Sequence, residues 1–185
     1  MDSVFDAAML WPVRLVLPDR AGWSLWGGNA DDGHDFLLPA GRRYAVFDTV
    51  EQLCDHVRRD GGDHVLSRTP GWEALRHGLR QGAPPRASDA YGYRFDRFAQ
   101  WTPAMRDGWV VDCIDLVWDL GSQFDDEVLN GLSRRGGALR QLYDSLWGEV
   151  SGEEHTVKAE RVAKAAKRAV TRLAALARWN PGTVR

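Results

Sequence analysis

The chain has 185 residues, of which 44% are hydrophobic and 27% charged, with a formal net charge of −2. This composition is typical of a soluble globular protein and excludes a disordered, collagen-like or membrane chain. The sequence has no run of about 18 apolar residues, and its acidic start lacks the basic-then-apolar order of a secretory signal. We therefore expect a cytoplasmic protein with no membrane partner.

The first residues predict a small antiparallel sheet. Apolar side chains alternate along residues 11–17, which is the pattern of a half-buried strand. A turn with Pro18 and Gly22 leads to a second strand over residues 23–26. Residues 36–38 and 43–47 are further segments expected to pair with these strands.

Two helices are predicted to back this sheet. Thr49 and Gln52 have the spacing of a capping box, so a helix should start there and run to about Arg59. Its apolar residues recur at helical spacing on one stripe. A second helix is predicted over Pro70–Arg80, with proline in its first turn.

The paired prolines within residues 81–89 exclude a helix and favour a linker. We therefore predict an N-terminal α+β region at 1–82 and a mainly helical region at 90–185, with one continuous globular unit left open. Residues 91–98 are expected to form a strand or an extended arm. Helices are predicted over 108–121, 126–133, 138–147 and 156–179. The predicted fold class is α+β, with a small N-terminal antiparallel sheet backed by helices and followed by a mainly helical C-terminal half.

Aromatic and apolar positions in the first half also carry a resemblance. Trp23–Trp26, Tyr44–Arg58, His64–Leu66 and Pro70–Trp72 resemble segments of small actinobacterial proteins that are labelled primosomal protein. The resemblance covers about residues 10–80. It implies an actinobacterial origin and an α+β core, and it transfers no catalytic or binding residues.

Charge is distributed unevenly along the chain. Residues 1–154 contain 16 arginines, no lysines and 25 acids, whereas residues 155–185 contain eight basic residues and one acid. The predicted terminal helix carries an apolar stripe and, opposite it, a basic stripe of Arg161, Lys164, Arg168 and Arg172. The basic stripe has three interpretations: pairing with acids of this chain, an acidic protein partner, or nucleic acid phosphates.

Metal and catalytic motifs are weak. Asp112, Asp115 and Asp119 have the i, i+3, i+7 spacing of one helix face and are the best candidates for a magnesium site. No nucleophile or base of identifiable setting accompanies them. The histidines lack ligand spacing, and Cys54 and Cys113 are expected to be small buried hydrophobic residues. We predict no cofactor and no catalytic residues.

Aromatic residues supply the remaining candidates, because tryptophan and tyrosine are enriched at interfaces. The candidate partner-binding residues are Trp23, Trp26, Tyr91, Tyr93 and Trp101. The sequence predicts a non-catalytic cytosolic protein-interaction or regulatory module, of adaptor or immunity type, whose partner is another protein or a second copy of the chain. Nucleic-acid binding by the basic helix is the alternative, and a metal-dependent enzyme ranks last.

Overall fold

The structure is a computed structural model that describes residues 4–29, 34–60, 62–83, 92–147 and 158–182. It has an α+β fold, with its larger sheet in the N-terminal half and a mainly helical C-terminal half, as predicted. The chain divides into two compact units. Unit 1 consists of residues 1–15, 21–92 and 176–185, and unit 2 of residues 16–20 and 93–175. The division at 82 and 90 stays a prediction.

The larger sheet has four strands in the order β3-β2-β1-β5. These are β1 (Trp11–Val16), β2 (Ala21–Asn29), β3 (His34–Leu37) and β5 (Gly92–Arg94). Strands β2 and β3 are antiparallel, with Trp26 opposite Leu37. A helix that the sequence did not predict, α1 (Val4–Ala8), precedes β1, and its five residues are too few to show a helical period.

A second sheet of two strands corrects the prediction for the C-terminal residues. Strand β4 (Tyr44–Val46) pairs in parallel with β6 (Ala177–Trp179). The sequence assigned residues 177–179 to the terminal helix, which is wrong. The predicted antiparallel pairing of residues 43–47 is present as two isolated bridges, of Phe47 with Trp23 and of Tyr44 with Pro39. All three residues of β4 are buried, so pairing of their backbone groups outweighs the local helix propensity of residues 177–179.

Two helices of unit 1 agree with the sequence, α2 (Val50–Arg59) and α3 (Trp72–Arg80), and a 3-10 helix that was not predicted (Val65–Arg68) lies between them. The capping box is confirmed, because Thr49 Oγ1 accepts from Gln52 N at 3.2 Å and Gln52 Oε1 accepts from Thr49 N at 3.3 Å. Helix α3 begins two residues later than predicted, at a glycine cap, Gly71. A Cβ on Gly71 would lie 1.8 Å from the carbonyl oxygen of Ala8, so only glycine fits there.

The apolar core of unit 1 lies between these helices and the strands. Both described cysteines are free and buried, as predicted. Burial raises the pKa of Cys54 to about 11. The core consists of Phe5, Ala8, Leu10, Leu25, Leu38, Ala45, Phe47, Leu53, Cys54, Val57, Leu66, Trp72, Leu75 and Leu79.

Helices dominate unit 2. They are α4 (Phe95–Phe98), α5 (Gly108–Gln123), α6 (Glu127–Ser133), α7 (Ala138–Trp147) and α8 (Ala159–Leu176), whose last residue belongs to unit 1. The predicted strand over 91–98 is therefore a three-residue strand followed by a helical turn. Residues 84–89 of the predicted linker lie outside the described residues. None of the described helices has both the length and the apolar character needed to cross a bilayer.

Candidate anion-binding sites

Helix α8 presents a basic face and an apolar face, as its sequence predicts. The apolar residues Val162, Ala166, Ala169, Val170 and Leu173 are all buried. The opposite face borders a shallow groove of about 480 Å³. We call it the basic groove, and its lining residues are Val128, Lys164, Lys167, Arg168, Thr171, Arg172 and Ala175. Lys167 was absent from the predicted stripe, although its i+3 spacing from Lys164 places it on the same face.

Two arginines of the predicted stripe donate hydrogen bonds to acceptors in unit 2. Arg172 donates through Nε to Asp126 Oδ2 at 2.6 Å, and the Asp126 side chain is only 3% exposed. Arg161 donates to the carbonyl oxygen of Gly136 at 3.1 Å. The acid that pairs with Arg172 is thus Asp126, outside the predicted set of three aspartates.

The other cations of the groove remain available. Lys164, Lys167 and Arg168 are exposed. Within the part of the chain that the structure describes, their side chains form no hydrogen bond or ion pair. Three positive charges therefore point to solvent beside the apolar side chains of Val128 and Ala175.

A second cavity of unit 2, of about 670 Å³, lies among α5, α6, α7 and the turn that follows α6. We call it the arginine pocket, and it is lined by Trp118, Asn130, Ser133, Arg134, Arg135, Arg140 and Asp144. Arg140 Nε donates to Asp144 Oδ1 at 2.8 Å. The Arg140 guanidinium carbon lies 5.0 Å from the ring centroid of Trp118 and 5.5 Å from that of Tyr143.

Sequence analysis missed the arginine pocket. Its residues come from three helices and a turn, so no short spacing connects them. The adjacent Arg134 and Arg135, at the end of a predicted helix, were the one local signal.

The aromatic residues that the sequence predicts to bind a partner are distributed over both units. Trp23 and Trp26 are half-buried on β2 in unit 1, and the Trp26 ring lies 5.4 Å from that of Trp11. In unit 2, the Tyr93 ring lies 6.1 Å from Phe95. Tyr91 lies outside the described residues.

The prediction that Trp101 binds a partner as an exposed anchor is corrected by the structure, because its side chain is buried. It is only 6% exposed. Its indole Nε1 donates to the carbonyl oxygen of Met105 at 3.2 Å. This buried, hydrogen-bonded ring packs inside the protein and presents no face to a partner.

The structure shows no metal centre among the residues it describes, since no group of three or more histidine, cysteine or acidic side chains is placed to hold an ion. Asp112, Asp115 and Asp119 all lie on α5 and form no such group.

A histidine and aspartate network joins the end of α2 to the 3-10 helix in unit 1. Asp60 Oδ2 lies 2.8 Å from His64 Nε2 and 3.9 Å from His56 Nε2. His64 Nδ1 accepts from Ser67 N at 3.0 Å, so Nε2 is the nitrogen that donates to Asp60. Burial would raise the pKa of Asp60, but hydrogen bonds from Gly62 N–H and His64 hold it below its ordinary value. Both carboxylate oxygens of Asp60 and both ring nitrogens of His64 thus have local hydrogen-bond partners.

Comparisons with known proteins give a family and a fold. The sequence profile of the SatS C-terminal domain family matches residues 10–179. A crystal structure described as the SatS C-terminal domain in complex with bromine has a TM-score of 0.74 and 17% identity, and the match covers 95% of this chain and 96% of that one. At that identity the likeness shows a shared fold. The search of curated proteins found no match. The resemblance to proteins labelled primosomal stays a prediction. Because the profile spans most of its length, the chain belongs to the SatS C-terminal domain family.

Proposed function

We propose that this protein is a non-catalytic protein-interaction module that binds an acidic segment of a partner protein in the basic groove. The observation that carries the proposal is the set of three exposed cations, Lys164, Lys167 and Arg168, without partners among the described residues. They lie on a helix whose opposite face is fixed in the core of unit 2. A rigid helix holds these charges in one arrangement before a partner arrives, which lowers the entropy lost on binding.

The groove also has an apolar component. Val128 of α6 and Ala175 of α8 line it beside the cations. A short segment with acidic residues on both sides of an apolar one would match both features, because carboxylates would meet the cations while the apolar side chain lies against Val128 and Ala175.

Nucleic acid is the second candidate, and the excess of basic residues in the last part of the sequence favours it. The number and spread of the exposed cations favour a peptide. From Lys164 to Arg168 the helix axis advances only about 6 Å. Proteins that bind duplex DNA by charge commonly make about 6–10 phosphate contacts, which exceeds the three available cations of this groove.

Fluorescence anisotropy with three labelled probes tests the proposal: a peptide with leucine between pairs of glutamates, a random single-stranded DNA and a random duplex. The groove variant is Lys164→Gln, Lys167→Gln, Arg168→Gln. Its matched control is Arg42→Gln, Arg43→Gln, Arg97→Gln, which changes the net charge equally at three other exposed arginines.

We expect the groove variant to weaken peptide binding by about tenfold or more, while the control binds like the unmodified protein. Peptide affinity should fall with salt. Binding of the peptide that is equal in both variants would overturn the proposal. Tighter binding of DNA than of the peptide, lost only in the groove variant, would establish nucleic acid in its place.

A further inference from the structure

We propose that the arginine pocket of unit 2 is a binding site for a small organic phosphate. This site shares no lining residue with the basic groove, so it stands apart from the proposed function. Its support comes from three properties of the lining: charge, an unsatisfied buried hydroxyl and a volume beyond that of a bare ion.

The pocket has an excess of positive charge. Three guanidinium groups and one carboxylate line it. Arg140 is paired with Asp144, whereas Arg134 and Arg135 are exposed and make no side-chain hydrogen bond or ion pair within the described ranges. Two guanidinium groups thus remain for a ligand. A phosphate monoester carries close to two negative charges at neutral pH, and guanidinium donors fit its oxygens in pairs.

The second property is an unsatisfied hydroxyl. Ser133 is 3% exposed, and its Oγ has no hydrogen-bond partner although it is fully buried. Buried hydroxyls are normally hydrogen-bonded, and an exception calls for an explanation. Ser133 is one of the residues that line the pocket, and a small rotation of its side chain would bring the hydroxyl to a bound phosphate, whose oxygen would accept its hydrogen bond. The side-chain amide of Asn130, in the same lining, adds a second neutral donor.

The volume indicates that the ligand is more than an inorganic ion. About 670 Å³ falls within the range of about 300–1,000 Å³ that is usual for small-molecule sites. Trp118 supplies an aromatic wall, against which an organic group would pack. The phosphate would lie at Arg134, Arg135 and Ser133, and the organic part toward Trp118.

The wall of the pocket is already ordered. Arg140 lies over the rings of Trp118 and Tyr143 and is held at its Nε by Asp144. These contacts restrict the rotamers of Arg140 and Trp118. Binding therefore needs to order only the exposed side chains of Arg134 and Arg135.

Isothermal titration calorimetry of the full chain at neutral pH tests the site, with phenyl phosphate as the probe. Inorganic phosphate and benzoate serve as comparison ligands. The variants are Ser133→Ala and the pair Arg134→Gln, Arg135→Gln. The matched control is the pair Arg42→Gln, Arg43→Gln, which removes two exposed arginines of unit 1.

We expect saturable binding of phenyl phosphate that is tighter than that of inorganic phosphate. Loss of the two arginines should weaken it by about tenfold or more, and loss of the Ser133 hydroxyl by about fivefold. The control should bind like the unmodified protein. Urea unfolding checks the fold of each variant, and Ser133→Ala should not lower stability, because it removes an unsatisfied buried group.

Three results would overturn the proposal. One is no saturable binding of phenyl phosphate at millimolar concentrations, and another is equal binding by the arginine variant and the control. The third is benzoate binding as tight as that of phenyl phosphate, which would assign the pocket to carboxylates.

Discussion

Asp126 combines two structural tasks in one buried carboxylate. Its Oδ1 accepts from the backbone N–H groups of Val128 and Leu129 at the start of α6. Its Oδ2 pairs with Arg172 of α8. A buried carboxylate is costly unless its oxygens are satisfied, and here every partner is supplied by unit 2. Arg172 is thereby committed to the fold, which leaves Lys164, Lys167 and Arg168 as the charges for a partner.

Asp126→Asn is expected to lower the free energy of unfolding by about 1–3 kcal/mol, because the amide keeps a capping oxygen but loses the charged bond to Arg172. The matched change is Asp125→Asn at the exposed neighbour, whose φ of +48° asparagine tolerates. That variant should stay within about 0.5 kcal/mol of the unmodified protein. Urea unfolding measures both, and equal stabilities would contradict the assigned role of Asp126.

The His56 and Asp60 pair makes the stability of the fold dependent on pH. Burial lowers the pKa of His56 below 6.5, with Arg59 and His64 acting in the same direction and Asp60 against it. The unfolded chain therefore binds more protons just below pH 6.5. Stability is fully present above that pH and is lost as the pH falls through the folded pKa of His56. The lowered pKa of Asp60 adds a second loss below pH 3.8.

The variant His56→Gln tests the first of these losses. At about pH 8 the imidazole is neutral, so the difference from the unmodified protein reports the lost contacts of the neutral ring, including that with Phe47, whose ring lies 5.0 Å away. At about pH 5 the unmodified protein should have lost stability that the variant retains. The difference in unfolding free energy between the unmodified protein and His56→Gln should therefore become smaller as the pH is lowered from about 8 to about 5. Parallel curves across this range would rule out the predicted titration.

Among the elements, β6 shows most clearly how distant contacts decide local structure. Asn180 follows it with a φ of +47°. Its backbone N–H donates to the carbonyl oxygen of Val46 at 2.7 Å. Its side chain accepts from Asp48 N at 3.2 Å and donates to Asp48 Oδ2 at 2.8 Å. One residue thus ends β6 and fixes it to the segment that connects β4 to α2.

Asn180→Ala and Asn180→Gly separate the two contributions of this residue. Both variants lose the side-chain bonds to Asp48, which should cost about 0.5–1.5 kcal/mol. Only the alanine variant also loses about 1 kcal/mol of stability because alanine disfavours the left-handed backbone conformation, which glycine adopts readily. We therefore expect thermal and urea unfolding to rank the unmodified protein above the glycine variant and the glycine variant above alanine. Equal stability of the two variants would show that the backbone conformation changes with the residue.

Elements with strong local signals were predictable from the sequence. Thr49 and Gln52 fixed the start of α2, and the apolar period of α8 fixed its buried face. The basic groove was recognisable for the same reason, because its cations repeat along one helix. Strand β6 was not predictable, since nothing within residues 177–179 shows that β4 lies beside them. The arginine pocket depends in the same way on packing among α5, α6 and α7.

At the scale of the whole molecule, both binding sites that we propose belong to unit 2. Unit 1 contains the partly buried histidine network and the two-stranded sheet. A small unit buries a limited share of its surface, so we expect the contacts of residues 177–180 with β4 and Asp48 to contribute to its stability. Unit 1 therefore includes segments that are far apart in the sequence, and a single cut near residue 82 would separate residues 176–185 from the rest of the unit.

The segment that such a cut would remove lies within unit 1. Residues 176–185 include β6, whose Trp179 packs over Gly22: a Cβ on that glycine would lie 2.6 Å from the Trp179 ring. Without this segment, Val46 loses its backbone partner Asn180 and the buried strand β4 loses β6. Unsatisfied backbone groups and exposed apolar surface would both weaken the fragment.

We therefore predict that residues 1–92 alone unfold at a lower urea concentration than the same residues joined by a flexible glycine and serine linker to residues 176–185. Such a linker adds reach with little stiffness, so the gain should come from β6. Circular dichroism during urea unfolding measures both fragments, and Trp179→Ala in the linked fragment should remove most of the gain. Identical midpoints for the linked and unlinked fragments would mean that β6 and Asn180 contribute no stability to unit 1 by themselves.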